Sequence, residues 1–475
     1  MEQPMRVLIV GGGVIGCSIA YFLRKRGVYV TVVEKGDIGA QASGAAAGLL
    51  APIRPLSQED PFKTLQLAGI ARFPSLVPEL EDASGLPVGY QQTGTLRVLP
   101  PEKLVPARIW AEAWRKAGYR IDVLTPEEAL TREPLLSPGL HGVVSIADEA
   151  QVAPAQLVKA LAQAASRAGA FIYDHTEVVA LERSESGESI KGAWTSRGEL
   201  LRCDQLVIAA GTWSAKLGEW LSVPLAIRPV RGEIVALQQP PTPLRTIIFD
   251  EGVWDEDIYI APKPDGTVII GATKADVGFD TSVSAGGVQH LLDVAIRLLP
   301  ALATCPIARM WACLRPKTPD SRPLLGPLLG WSNVTVASGH GGFGVTLSIV
   351  TGETIAELVA TGQFPEIIRP FAPQGQRSTQ SNELSEEESA ALPFYRPAFS
   401  EQQVKDFAIR WAIKQFSVAP ADQARVRVAN FHYFPLSGHW NCLIEYSHSL
   451  DDVSVAIVVK DQALTVEGFV EYPPP

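Results

Sequence analysis

The chain has 475 residues, a formal net charge of −10 and 46% hydrophobic residues. That length holds two or three domains, and the acidic balance without a Lys/Arg cluster argues against nucleic acid and anionic membrane surfaces as partners. Cysteines at 17, 203, 305, 313 and 442 form no CxxC or Cys/His ligand spacing, so neither a disulfide framework nor a metal site is expected.

The first element is Val7-Leu8-Ile9-Val10, an apolar run that reads as a buried parallel strand. Gly11-Gly12-Gly13-Val14-Ile15-Gly16 follows. Gly11 permits the tight turn, Gly13 lets a pyrophosphate approach the backbone, and Gly16 lets the next helix pack closely on the strand. That helix is predicted over residues 14–26, with its first N–H groups turned to the pyrophosphate. A second β-rich run over 28–33 ends at Glu34, 18 residues beyond Gly16, where a carboxylate accepts hydrogen bonds from an adenosine ribose. Strand, glycines, helix, strand and acid together point to dinucleotide binding far more specifically than the glycine pattern alone.

Residues 36–50 are rich in Gly and Ala and suit backbone laid against a flat ligand. Residues 60–135 read as helices with a short strand at 94–98. A loop and an Ala/Leu helix with Pro154 in its first turn follow over 148–170. Strands are predicted at 171–173 and 177–181, and another at 205–209, leading into a small-residue turn through Ser214. The alternation over 226–275 is that of an antiparallel sheet. Residues 334–337 lead into Ser338-Gly339-His340-Gly341-Gly342-Phe343-Gly344 and a helix to about residue 359, a second strand–glycine–helix unit. Residues 373–394 read as a Ser/Gln/Glu-rich linker. Beyond it, Ser400 caps an amphipathic helix over 401–416, and strands are predicted at 426–434, 440–447, 453–460 and 464–472. No cationic leader precedes the first strand, and outside it no run of 18 apolar residues occurs, so a soluble cytoplasmic protein without a membrane span is expected.

Several of these motifs, in this order, resemble the glycine oxidase/D-amino-acid oxidase superfamily of FAD-dependent oxidoreductases, and within it the glycine oxidases of thiamine biosynthesis. The resemblance covers residues 5 to about 372. It rests on the N-terminal glycines, Ser43-Gly44-Ala45-Ala46-Ala47-Gly48, Ile208-Ala209-Ala210-Gly211-Thr212-Trp213-Ser214, Arg228-Pro229-Val230-Arg231-Gly232, Leu314-Arg315-Pro316, Thr318-Pro319-Asp320 and Ser338-Gly339-His340-Gly341. It implies an α/β plus α+β architecture. A discontinuous Rossmann-like FAD domain would comprise residues 1–84, 150–222 and 325–372. An antiparallel-sheet substrate domain would comprise 85–149 and 223–324, and a small α+β module would follow over 395–475.

By the same resemblance, Gly11, Gly13, Val14, Ile15, Gly16, Glu34 and Lys35 hold the ADP half of a non-covalent FAD. Ser43, Ala46, Ala47, Gly48 and Leu49 pass near its pyrophosphate and flavin. Val178 meets the adenine through its backbone, and Ala210, Gly211, Trp213 and Arg315 are further cofactor contacts. Gly339, His340, Gly341, Gly342, Phe343, Gly344, Val345 and Thr346 face the flavin edge that gains negative charge on reduction. Arg315 clamps the substrate carboxylate with its planar fork. Tyr259 bonds the carboxylate or amine, and Lys274 lines the pocket. The implied reaction passes the α-hydrogen of a neutral amine to flavin N5 as hydride. The imine is released and hydrolysed, and dioxygen reoxidises the flavin to give hydrogen peroxide.

Two positions depart from the glycine-oxidase pattern: Gly342 where many of those enzymes carry an arginine, and Lys274 where they carry an apolar residue. Both imply a substrate larger than glycine, an N-substituted glycine or a D-amino acid. Cys313 falls where sarcosine oxidases attach flavin covalently; an inert buried thiol is the expectation here. Two other readings stand beside the oxidase. One is an FAD-dependent D-amino-acid or D-hydroxyproline dehydrogenase using a quinone or carrier. The other is a docking protein with a vestigial flavin domain. A homo-oligomer assembled through the C-terminal module is expected.

Overall fold

The opening strand, Arg6–Val10, is buried on both faces, which is why it reads as an unbroken apolar run. Val7 and Ile9 pack with helices on one side, and Leu8 and Val10 pack into a separate core on the other. The computed structural model describes residues 5–54, 60–254, 256–373, 400–415 and four later strands. The chain divides into two compact units, 1–379 and 380–475.

In the first unit, six strands run in the order Leu324–Pro327, Val334–Ser338, Gln205–Ile208, Arg6–Val10, Tyr29–Val33 and Phe171–Tyr173. All neighbours are parallel except the Leu324–Pro327 edge. Helices Val14–Lys25, Pro154–Arg167 and Gly344–Thr361 supply the core on one face. The other face carries a three-stranded sheet, Val178–Arg183, Ile190–Thr195 and Leu200–Arg202, and the helix Ser214–Trp220. Gly344–Thr361 is long and apolar enough to cross a membrane by length and composition, but it is largely buried against Val14–Lys25 and Pro61–Ser84. Its Leu347, Ile349 and Ile355 are fully enclosed, each worth about 1.5–3 kcal/mol of burial.

The second sheet has eight strands, in the order Ile307–Lys317, Arg228–Gln238, Thr267–Gly271, Glu256–Pro262, Ile247–Glu251, Thr95–Leu99, Gly142–Ile146 and Ile121–Leu124. It is antiparallel save for one parallel pair, Ile247–Glu251 with Thr95–Leu99, where strands distant in sequence meet. Val235 and Leu237 point to a core roofed by helix Ala285–Leu298, while Ile234 and Ala236 point to the opposite face with Ala47 and Tyr259.

The sequence reading leaves three features of the first unit unspecified. The region 60–135 contains the strand Ile121–Leu124, too short and too mixed in polarity to show a period. Helix Pro61–Ser84 continues through Pro74 and Pro78; burial of Phe73, Leu76, Val77 and Leu80 outweighs a cost of about 3 kcal/mol for an interior proline. Helix Ala285–Leu298, unmarked by the alternation before it, is capped by the Ser284 hydroxyl, which accepts from Gly287 N at 3.1 Å.

The second unit is α+β. Ser400 Oγ accepts from Gln403 N, and Gln403 Oε1 accepts from Ser400 N, a reciprocal cap that opens helix Glu401–Gln415. Val404, Ala408 and Ala412 form its buried stripe. Val426–Phe434, His439–Ser447, Asp452–Lys460 and Thr465–Tyr472 follow as an antiparallel meander. Of the expected linker, residues 374–394 lie outside the described residues.

Candidate active site

A cavity of about 650 Å³ runs from the first glycine loop to the floor made by the eight-stranded sheet. At the loop, Gly11 has φ +114°, and a Cβ there would lie 2.4 Å from Ala209 O. Only glycine satisfies both conditions. Glu34 accepts hydrogen bonds from Gly12 N at 2.8 Å and Gly36 N at 3.0 Å. These anchor the carboxylate on the cavity wall and leave lone pairs on both oxygens. Ser43 Oγ accepts from Val14 N at 2.9 Å, tying the Ala42–Ala45 turn to the start of the first helix. Lys35 Nζ sits 3.4 Å from the centroid of the Trp213 ring, and burial lowers the pKa of this ammonium.

Between loop and floor runs the segment 45–51, and its alternate carbonyls are each taken by a side chain of the surrounding wall. Ala45 O accepts from Trp311 Nε1 at 2.9 Å and Ala47 O from Lys263 Nζ. Leu49 O accepts from Thr346 Oγ1 at 3.1 Å and Ala51 O from Arg97 at 3.2 Å. Lys263 also reaches Gln151 Oε1 at 2.6 Å, and burial pulls its pKa down to about 8. Together with the packing of Ala47 and Ala51 on the sheet, this explains how a Gly/Ala-rich stretch holds one path.

The floor is one cross-strand row. Trp311 faces Ile234, Ile234 faces Gly271, Gly271 faces Tyr259, Tyr259 faces Phe249, and Phe249 faces Arg97. Gly271 leaves room for the Tyr259 ring, whose hydroxyl would lie 2.5 Å from a Cβ there. The Arg315 guanidinium lies over Gly232 in the same way, 2.3 Å from where a Cβ would be. It donates to Thr273 O at 2.9 Å and has no carboxylate partner among the described residues. The Tyr259 hydroxyl likewise makes no hydrogen bond among the described residues. Burial raises its pKa, partly offset by Arg315, so it stays a neutral donor.

Almost all of the residues singled out from the sequence line this one cavity. Gly11, Gly13, Val14, Ile15, Glu34, Lys35, Ser43, Ala46, Ala47, Gly48 and Leu49 come from the first half of the chain. Val178, Ala210, Gly211, Trp213, Tyr259, Lys274 and Arg315 join them, with His340 through Thr346. Gly16 and Gly339 do not line it. A Cβ on Gly16 would fall 2.0 Å from Gly11 O, so Gly16 permits the helix–strand contact. Gly339, at φ +78°, makes the turn beside Thr318. His340 is buried with Nε2 3.2 Å from Thr351 Oγ1, and burial pushes its pKa down to about 3, leaving a neutral ring. Lys274 is exposed at the cavity rim, and a Cβ on Gly342 meets open space. Cys313 is a buried thiol whose pKa is raised by burial. No metal-binding cluster occurs among the described residues. The sequence reading missed Arg54, Phe249 and Lys263. Only Arg54 left a trace, as a lone cation closing the run from Leu49.

A glycine turn with an acid-anchored loop, leading to a walled floor with a free guanidinium and phenol, defines a dinucleotide-dependent enzyme acting on a small anionic substrate. The FAD-dependent oxidoreductase family DAO matches residues 6–358. The chain is 36% identical to a glycine oxidase of Geobacillus kaustophilus over 78% of this chain and 97% of that one. It is 32% identical to a bifunctional protein ThiO/ThiG of Trichormus variabilis over 77% of this chain and 54% of that one. A crystal structure of glycine oxidase from Geobacillus kaustophilus aligns with a TM-score of 0.71 at 36% identity, covering 78% and 98% of the two chains. The chain belongs to the DAO family and is an FAD-dependent oxidoreductase. The Gly11 turn, the Glu34 carboxylate and the length of the cavity fit that cofactor.

Proposed function

We propose that the protein oxidises the amine of glycine or a small relative, an N-substituted glycine or D-amino acid, with dioxygen as acceptor. The observation that carries this reading is Arg315, a guanidinium on the cavity floor with no protein carboxylate to neutralise it. A substrate carboxylate is the natural partner of that fork. Bound FAD supplies the hydride acceptor. The chain's own residues bind and orient: Arg315 holds the carboxylate, and the neutral Tyr259 hydroxyl donates to the same group or accepts from the amine. Ala47, Ile234 and Ala272 exclude water from one side.

The glycine loops, Glu34, Lys35 and Trp213 would hold the dinucleotide half, and the turn from His340 to Thr346 the flavin end. The FAD-binding, substrate-binding and C-terminal divisions set out from the sequence belong to this proposal, as do non-covalent flavin, a cytoplasmic site of action in thiamine biosynthesis and a homo-oligomer. Anaerobic reduction of the purified yellow protein by glycine, sarcosine, D-amino acids and other N-alkylglycines tests it. Bleaching by at least one of these amines is expected, followed by oxygen uptake on re-aeration. Bleaching without oxygen uptake would favour the dehydrogenase reading; no bleaching by any amine would defeat both.

A further inference from the structure

We propose that Glu233 and Thr273 are positioning residues for Arg315, fixing the direction of its guanidinium from outside the cavity. This rests on the reading above that Arg315 binds the substrate carboxylate. Side chains alternate along strand Arg228–Gln238, so Gly232, Ile234 and Ala236 share the cavity face while Arg231 and Glu233 point away from it. The Arg315 guanidinium lies over Gly232 on the cavity face. Its one hydrogen bond among the described residues is the donation to Thr273 O at 2.9 Å. Neither Glu233 nor Thr273 is among the residues that line the cavity, so whatever they do for a bound carboxylate they do through Arg315.

Thr273 is clamped to Glu233 on both sides of its hydroxyl. The hydroxyl donates to Glu233 Oε2 at 2.9 Å and accepts from Glu233 N at 2.9 Å, and the Thr273 N–H reaches Glu233 O at 3.4 Å. Glu233 is itself buried and held: its Oε1 accepts from Ser284 N at 2.6 Å. The first turn of helix Ala285–Leu298 makes room for this carboxylate, since a Cβ on Gly287 would fall 2.0 Å from Glu233 Oε2. Burial works to raise the Glu233 pKa, and the hydrogen bonds from Ser284 and Thr273 outweigh it, so the carboxylate stays ionised. Two residues on, Ala275 and Arg231 exchange backbone hydrogen bonds at 2.9 and 3.0 Å, and the Arg231 guanidinium donates to Asp280 at 2.7 Å. The segment that carries the Thr273 carbonyl is thus tied down on both sides of it. A guanidinium with one nitrogen pinned to a fixed carbonyl keeps its remaining donors aimed one way. An arginine left to rotate has to be ordered by each ligand it binds, which weakens binding.

The test titrates acetate into the full-length, FAD-loaded protein and reads its affinity from the bound-flavin spectrum, so it needs no turnover. Thr273→Val removes the hydroxyl and keeps the carbonyl; it should weaken acetate by about 3- to 10-fold, the scale of one net hydrogen bond. Thr273→Ser keeps the hydroxyl and should stay within about twofold of the wild type, well inside the effect of one such bond. The decisive comparison repeats Thr273→Val in an Arg315→Lys background. A lysine ammonium is a rotatable point charge that needs no fixed fork, so there the loss should largely vanish. Equal losses in both backgrounds would make Thr273 merely structural and overturn the proposal. Where Thr273→Val does not take up FAD, Glu233→Gln serves in the same comparison, with weakening confined to the Arg315 protein expected and equal weakening overturning it. Unchanged acetate affinity in Thr273→Val would overturn this inference and leave Arg315 as the carboxylate site. Acetate that fails to bind even the wild type would defeat the Arg315 reading and this inference with it.

Discussion

The residues that matter most in this site are those whose polar groups the protein leaves unmatched. Arg315 lies in a sheet where most buried polar groups have partners, yet its charge is balanced by none. Arg315→Ala should raise the substrate concentration for half-maximal flavin reduction by an amount worth about 2–4 kcal/mol, since a charge-assisted contact in a desolvated site is lost. Flavin titration by the chosen amine measures it, and wild-type behaviour would place the carboxylate elsewhere. His340 is the converse case, a titratable ring held neutral. Its folded pKa of about 3 lies below the ordinary value of 6.5. Between those values the unfolded chain binds a proton that the folded chain does not, so stability is present above pH 6.5 and lost as pH falls toward 3. The slope is up to about 1.4 kcal/mol per pH unit. Denaturant unfolding from pH 7 to pH 4 should show a shallower loss in His340→Asn than in wild type.

At the scale of elements, the site is a strip of backbone laid over a sheet. The carbonyls of the 45–51 segment are pinned by Trp311, Lys263, Thr346 and Arg97, from four separate parts of the chain. Below the strip, glycines on the strands make recesses for side chains. Gly232→Ala would place a methyl carbon 2.3 Å from the Arg315 guanidinium. A side-chain end can move where backbone cannot, so this variant should fold and bind FAD while showing an Arg315→Ala-like rise in KM. Loss of FAD in Gly232→Ala would mean that the recess supports the fold. This layout also explains what could be read in advance. The nucleotide loop was legible because strand, turn, helix and acid are contiguous, and each has a local physical requirement. Arg315 and Tyr259 were legible only through resemblance. Arg54 and Phe249 lie 195 positions apart in the chain and meet through sheet register, which no local pattern encodes. Ile121–Leu124 was missed for a related reason: with Asp122 exposed, it is a strand only because Gly142–Ile146 lies beside it.

At the scale of the whole molecule, the first unit holds all the residues found around the cavity. The lining runs from Val10 to Thr346, and both large sheets end before residue 339. The family match ends at 358, and the described structure of the first unit continues only through Ile368, Phe371 and Ala372, which are buried. A chain ending at Pro373 keeps every residue described as lining the cavity. The second unit has its own capped helix, buried stripe and four-stranded meander, and roughly 80 residues is enough for a small core. The truncated chain should therefore fold, bind FAD and be bleached by the same amine as the full chain. Its sedimentation coefficient or thermal midpoint should change if the C-terminal unit serves assembly. Absorbance titration and analytical ultracentrifugation on both forms check this. A truncated protein that binds FAD but cannot be reduced would show that residues beyond 373 take part in the reaction, and the separation of catalysis from assembly would fail.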